Sequence, residues 1–70
     1  MMPLTMVLPG QKNMVKKING TDKTRRFLEA LGFVEGTEIT VVSKFSGNLI
    51  VCIKGTRLAI DQAMATRILV

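Results

Sequence analysis

Thr24-Arg25-Arg26-Phe27-Leu28-Glu29-Ala30-Leu31-Gly32-Phe33-Val34-Glu35-Gly36-Thr37-Glu38-Ile39 holds a helix, its stop signal, a turn and the start of a strand. At about 100° per residue, Thr24, Phe27, Leu28 and Leu31 fall within a stripe roughly 100° wide, while Arg25, Arg26 and Glu29 face away. The spacing predicts a short amphipathic helix over 24–31 with that stripe buried. Gly32 stands where a left-handed residue closes a helix, and Phe33 is placed to fold back onto the last turn. Phe33 to Gly36 then reads as a tight turn, and Thr37 enters a strand. So short a helix is not stable alone in water, so it must lie on the strands around it.

Those strands are short and closely spaced. Leu4, Met6 and Leu8 alternate with Thr5 and Val7, a first strand that Pro9-Gly10 ends. Asn13 to Ile18 reads as a second, with Met14, Lys16 and Ile18 on one face and Val15 and Lys17 on the other. Asn19-Gly20 closes it, and Thr21 or Asp22 can cap the helix that follows. Thr37 to Phe45 is rich in β-branched residues and forms a long strand, turned by Ser46-Gly47-Asn48. Leu49 to Lys54 is apolar on both faces, the pattern of a central strand covered twice. Gly55-Thr56 fits a two-residue hairpin turn of type II′. Arg57 to Ile60 returns, Asp61 caps one or two helical turns over 62–66, and Arg67 to Val70 closes the chain. The expected fold is therefore all-β, a small closed barrel of five or six short strands. One short helix follows strand 2 and a helical turn lies near the C-terminus.

Seventy residues with one cysteine, no histidine and no tryptophan or tyrosine restrict the chemistry sharply. Residues 1–70 read as one domain with a small core and no disulfide to staple it. A lone Cys52 in a strand pattern suits a reducing cytoplasm and a small buried hydrophobe. The amino terminus lacks a charged segment followed by an apolar one, so it does not read as a secretory signal. The longest uninterrupted apolar run, Leu49 to Ile53, is far too short for a membrane span. The chain is thus expected to be cytoplasmic and not membrane-embedded.

Metal centres of the transition series draw on imidazole and thiolate, and this chain offers one thiol. Asp22, Glu29, Glu35, Glu38 and Asp61 form no recognisable hard-cation loop, and Glu35 and Glu38 read as turn and strand-start residues. No serine or cysteine can be matched with a histidine base, and the glycines fit neither a dinucleotide fingerprint nor a P-loop. The residue types point away from an enzyme, a metal site or a cofactor.

Charge is unevenly placed. Lys12, Lys16, Lys17, Lys23, Arg25 and Arg26 face only Asp22 within residues 1–26, whereas four cations and four carboxylates balance over 27–70. The whole formal excess of +5 therefore sits in the first third. Such asymmetry suits an acidic protein, an anionic membrane surface or nucleic acid. Part of it can be a solvated helix face, with Asp22 spaced to pair with Arg26 and Arg25 with Glu29. The outward face of the helix presents Lys23, Arg25 and Arg26, and Lys16 and Lys17 lie on the strand leading into it. These five are the candidate partner-binding residues. Of the three phenylalanines, Phe27 and Phe33 belong to the expected core, leaving Phe45 as the one exposed ring. Stacking on single-stranded nucleic acid is therefore disfavoured, though loose electrostatic binding through the basic third is not.

The segment Arg25 to Ile39 resembles the helix–Leu-Gly–turn–Gly–strand stretch of the FeoA family, the small cytosolic component of bacterial ferrous iron transport. Leu49-Ile50-Val51-Cys52-Ile53-Lys54-Gly55-Thr56-Arg57-Leu58-Ala59-Ile60 resembles its second signature, with Ala63 to Ile68 and Val70 following. Leu4, Leu8, Pro9, Gly10, Gln11, Val15 and Ile18 fit its opening, so the likeness spans nearly the whole chain. One departure is Lys44-Phe45-Ser46-Gly47-Asn48, a glycine-type turn where the family often carries a proline-containing loop. The resemblance implies an SH3-like barrel. It also implies a role beside FeoB, the membrane permease with a cytoplasmic G-protein domain, as a protein–protein interaction module that assists or regulates it. A different class of function is a stand-alone SH3-like barrel that binds nucleic acid through its basic third.

Overall fold

The computed structural model describes all residues, Met1–Val70. A 3₁₀ turn at Leu4–Met6 precedes β1 (Lys12–Met14), β2 (Lys17–Ile18), α1 (Asp22–Ala30), β3 (Glu38–Phe45), β4 (Asn48–Ile53), β5 (Thr56–Asp61), α2 (Gln62–Arg67) and β6 (Ile68–Leu69). The strands form a four-stranded antiparallel sheet in the order β1-β3-β4-β5 and a two-stranded sheet of β2 with β6. The count of six strands and two helical segments agrees with the expected five or six strands, one helix and a terminal helical turn, although two of the expected strands are placed differently. The strands form two sheets about one core rather than a single closed ring.

Fifteen apolar residues are buried, and no polar or charged side chain is. β4 shows how the sequence reaches this state: Leu49, Val51 and Ile53 point inward, while Ile50 and Cys52 on the opposite face are half-buried. The outer face of β4 is thus covered only in part, and Cys52 is not the fully buried hydrophobe its pattern suggested.

The helix ends follow their capping chemistry. The Thr21 hydroxyl accepts from the Thr24 N–H at 3.2 Å, and the Asp61 carboxylate accepts from the Met64 N–H at 2.8 Å. At the other end of α1, the Gly32 N–H donates to the Glu29 carbonyl and the Phe33 N–H to the Leu28 carbonyl. That is the paired Schellman arrangement, and it needs the left-handed φ of +108° that Gly32 supplies. Phe33 is thereby folded under the helix and fully buried.

Four expectations need correction. Leu4 to Leu8 is not a strand, because Leu4 and Val7 are the residues wholly buried. Their spacing of three matches a 3₁₀ turn, which leaves Met6 and Leu8 outside. Asn13 to Ile18 is not one strand. β1 pairs with β3, the chain turns a corner at buried Val15, and β2 pairs with β6, so Lys16 and Lys17 are both exposed. On α1 only Leu28 is fully buried, while Phe27 is 52% exposed and Leu31 39%. Phe33, the other ring expected in the core, is fully buried. Finally, the β4–β5 turn is Lys54-Gly55, not Gly55-Thr56: Ile53 faces Thr56, and Lys54 and Gly55 both have positive φ, +50° and +77°. That is the type I′ pattern, better matched to strand twist.

No helix of the chain is long and apolar enough to cross a membrane.

Leu28→Ala is expected to cost about 2–5 kcal/mol, and Phe27→Ala well under half as much, because the first empties a closed site and the second trims an exposed ring. Paired thermal melts check the ordering. Lys54→Asn is expected to stabilise by about 0.5–1 kcal/mol, since asparagine tolerates the left-handed conformation that lysine adopts at a cost. A denaturant midpoint at or below that of the parent chain would contradict this turn assignment.

Candidate functional site

β2 and α1 meet at a corner, and the basic residues gather there. β2 is short, but each end is tied: the Lys16 N–H donates to the Leu69 carbonyl at 2.8 Å and the Asn19 N–H to the Arg67 carbonyl at 2.8 Å. The lysines therefore stand on a backbone held by β6, with Ile18 buried beneath them. A groove of about 470 Å³ opens between this segment and α1, lined by Lys16, Lys17, Ile18, Arg25, Glu29 and Glu35.

Three of the five candidate partner-binding residues are thus brought together: Lys16, Lys17 and Arg25. Lys23 and Arg26 are exposed on α1 but lie off the groove. The groove is not uniformly positive, because Glu29 and Glu35 interleave with the cations. The expected pairings along the helix are also replaced. Arg25 binds Asp22 one turn back, with Nη2 to Oδ1 at 2.7 Å, rather than Glu29, and Arg26 has no carboxylate within salt-bridge distance. Lys23 and Arg26 are the cations of α1 left unpaired.

Those two cations have apolar neighbours outside the five candidate residues. Phe27 stands one helical turn from Lys23, and Leu31 one turn from Phe27, so both exposed apolar side chains continue the face that Lys23 and Arg26 begin. The signal was present in the sequence: a helix that touches the core along one narrow row cannot bury four positions.

A second cavity, about 290 Å³, lies between the 3₁₀ turn, the β3–β4 hairpin tip and the start of α2. Lys44 bridges it, its Nζ donating to the Thr5 carbonyl at 2.7 Å, so that charge ties the hairpin tip to the amino-terminal segment. No three His, Cys, Asp or Glu side chains converge anywhere in the chain.

The family model described as the FeoA domain matches residues 2–70. A relative from Methanocaldococcus jannaschii named "Putative Fe(2+) transport protein A" is 30% identical over 70 residues, spanning all of this chain and 85% of its own length. Among solved structures, an iron uptake regulatory protein (FeoA) superimposes with a TM-score of 0.88 at 33% identity, covering 96% of this chain and 89% of its own. The FeoA of Stenotrophomonas maltophilia, solved with zinc and described as a procaryotic SH3 domain protein, gives a TM-score of 0.84 at 28% identity. That match covers 99% of this chain and 88% of the other. The two-sheet architecture is accordingly the SH3-like fold.

The donor set predicts that the chain alone forms no stoichiometric ferrous site with sub-micromolar affinity, having no imidazole and one half-buried thiol. Anaerobic calorimetry with ferrous ion checks this, and a saturable heat at one equivalent would overturn it.

Proposed function

The chain belongs to the FeoA family, and on that premise we propose that it is a small cytosolic accessory protein of ferrous iron uptake. It acts as a protein–protein interaction module that assists or regulates a FeoB-type permease by docking on the permease's cytoplasmic G-protein domain. Residues 1–70 serve as a single docking domain, and the basic corner of Lys16, Lys17, Lys23, Arg25 and Arg26 is its contact face.

The observation that carries this reading is the pair of cations without a salt-bridge partner, Lys23 and Arg26, beside exposed Phe27 and Leu31 on one face of α1. A protein partner uses both halves of such a face: charge steers the encounter and fixes register, and buried apolar area supplies affinity. Nucleic acid uses it less well. Glu29 and Glu35 interrupt the positive groove where a phosphate backbone would run, and the chain has no tyrosine or tryptophan and only two exposed rings, Phe27 and Phe45, on which bases could stack. Binding to heterogeneous nucleic acid that survives physiological salt would favour that second reading instead.

Reversing Arg25 and Arg26 to Glu is expected to lower the association rate with the permease's cytoplasmic domain roughly tenfold at low salt and to flatten its salt dependence. The fold should persist, because both side chains are exposed; losing the Asp22–Arg25 pair costs only a few tenths of a kcal/mol. Binding kinetics at two salt concentrations provide the measurement, and an unchanged rate at low salt would remove this face from the interface.

A further inference from the structure

β5 is a six-residue strand at the open end of the four-stranded sheet, with no strand on its outer side. Its hairpin with β4 fixes which backbone groups are free. In a two-residue hairpin the residues flanking the turn exchange hydrogen bonds, and bonding then alternates along the pair. Ile53 with Thr56, Val51 with Leu58 and Leu49 with Ile60 are therefore the bonded pairs, and Arg57, Ala59 and Asp61 direct their backbone N–H groups outward. The carbonyls of Arg57 and Ala59 point the same way, while that of Asp61 serves the first turn of α2.

The side chains of the same three residues are exposed and share one face. Within the chain Arg57 stands opposite Cys52 and Asp61 opposite Asn48, and neither takes part in a salt bridge. An open edge is ordinarily protected by a charge at its middle, by proline or by a bulge. Here the middle is Ala59, and opposite charges flank it two residues away on either side.

We propose that β5 is a self-association edge at which a second copy of this chain pairs antiparallel about a two-fold axis through Ala59. In that register Ala59 faces Ala59 of the second copy, and Arg57 of each copy faces Asp61 of the other. Leu58 meets Ile60 of the second copy on the opposite face. Ala59 exchanges two backbone hydrogen bonds with its mate, and each Asp61 N–H donates to the Arg57 carbonyl across the axis, about four bonds in all. The two four-stranded sheets become one continuous sheet. The charges select this arrangement: a parallel in-register pairing sets Arg57 on Arg57, and antiparallel registers shifted by two residues leave both charges without a mate. Because the contact is isologous, it closes at two copies and does not propagate.

Sedimentation of the full chain over a wide concentration range tests the proposal, together with amide exchange of Ala59 and Asp61 at low and high concentration. The expected result is a reversible monomer–dimer equilibrium in which those two amides become protected as the dimer forms. Arg57→Asp and Ala59→Lys, both at exposed positions, should each weaken the dimer on the order of tenfold or more while leaving the melting curve near that of the parent. A chain that stays monomeric at millimolar concentration would overturn the proposal. So would a dimer that neither substitution weakens, or one whose Ala59 and Asp61 amides exchange at the monomer rate.

Discussion

The corner at Val15 is the constraint on which the rest of this molecule depends. Its N–H donates to the Thr37 carbonyl at 2.9 Å and its own carbonyl accepts from Gly36 at 2.8 Å, which ties it to the approach to β3. One residue later the chain changes allegiance, and Lys16 bonds to Leu69 at the carboxyl-terminal end. A single extended segment thus serves both sheets, and the Val15 side chain is buried between them. In a core of only fifteen buried residues, with no disulfide and no buried polar network, this shared segment holds the two sheets in fixed relation. It also decides the surface. The corner breaks strict alternation, so Lys16 and Lys17 both emerge into solvent next to α1.

What could be read from the sequence follows from how local each feature is. The caps at Thr21 and Asp61, the Gly32 stop and the alternation of β4 depend on a few neighbouring residues, and the structure has them where the residue types demand. The features that were not legible depend on competition between distant segments. Leu4 to Leu8 has the alternation of a strand, yet the space it meets against α2 and β6 accommodates Leu4 and Val7, one 3₁₀ turn apart. Phe27 lies on the apolar stripe of α1 yet stands half exposed, while Phe33, held by the Schellman turn, is the ring that is fully buried. The turn after β4 lies one residue earlier than Gly55 alone indicates, because glycine marks a left-handed position without saying which of two it fills. Lysine at φ +50° occupies the other.

The candidate site was legible in composition and not in arrangement. The excess of cations in the first third pointed to Lys16, Lys17, Lys23, Arg25 and Arg26. Which of them share a groove depends on the angle at which α1 leaves β2, and that angle is set by packing. The result is a face with two textures. On one flank of α1, cations and carboxylates interleave around the groove. On the other, Lys23 and Arg26 border exposed Phe27 and Leu31. Opposite charges side by side favour a specific mate over a generic polyanion, because each misplaced charge in the partner meets repulsion.

The shallow seating of α1 has a consequence for any partner that grips it. Leu28 is the one side chain of this nine-residue helix that is fully buried. A helix of that length has little stability of its own, so its local opening requires less free energy than global unfolding. Binding at its outer face and closure of the helix are then thermodynamically linked. A partner's apparent affinity is scaled by the fraction of molecules in which α1 is closed. Residues that no partner touches, among them Thr21, Gly32 and Phe33, become determinants of recognition through that population alone.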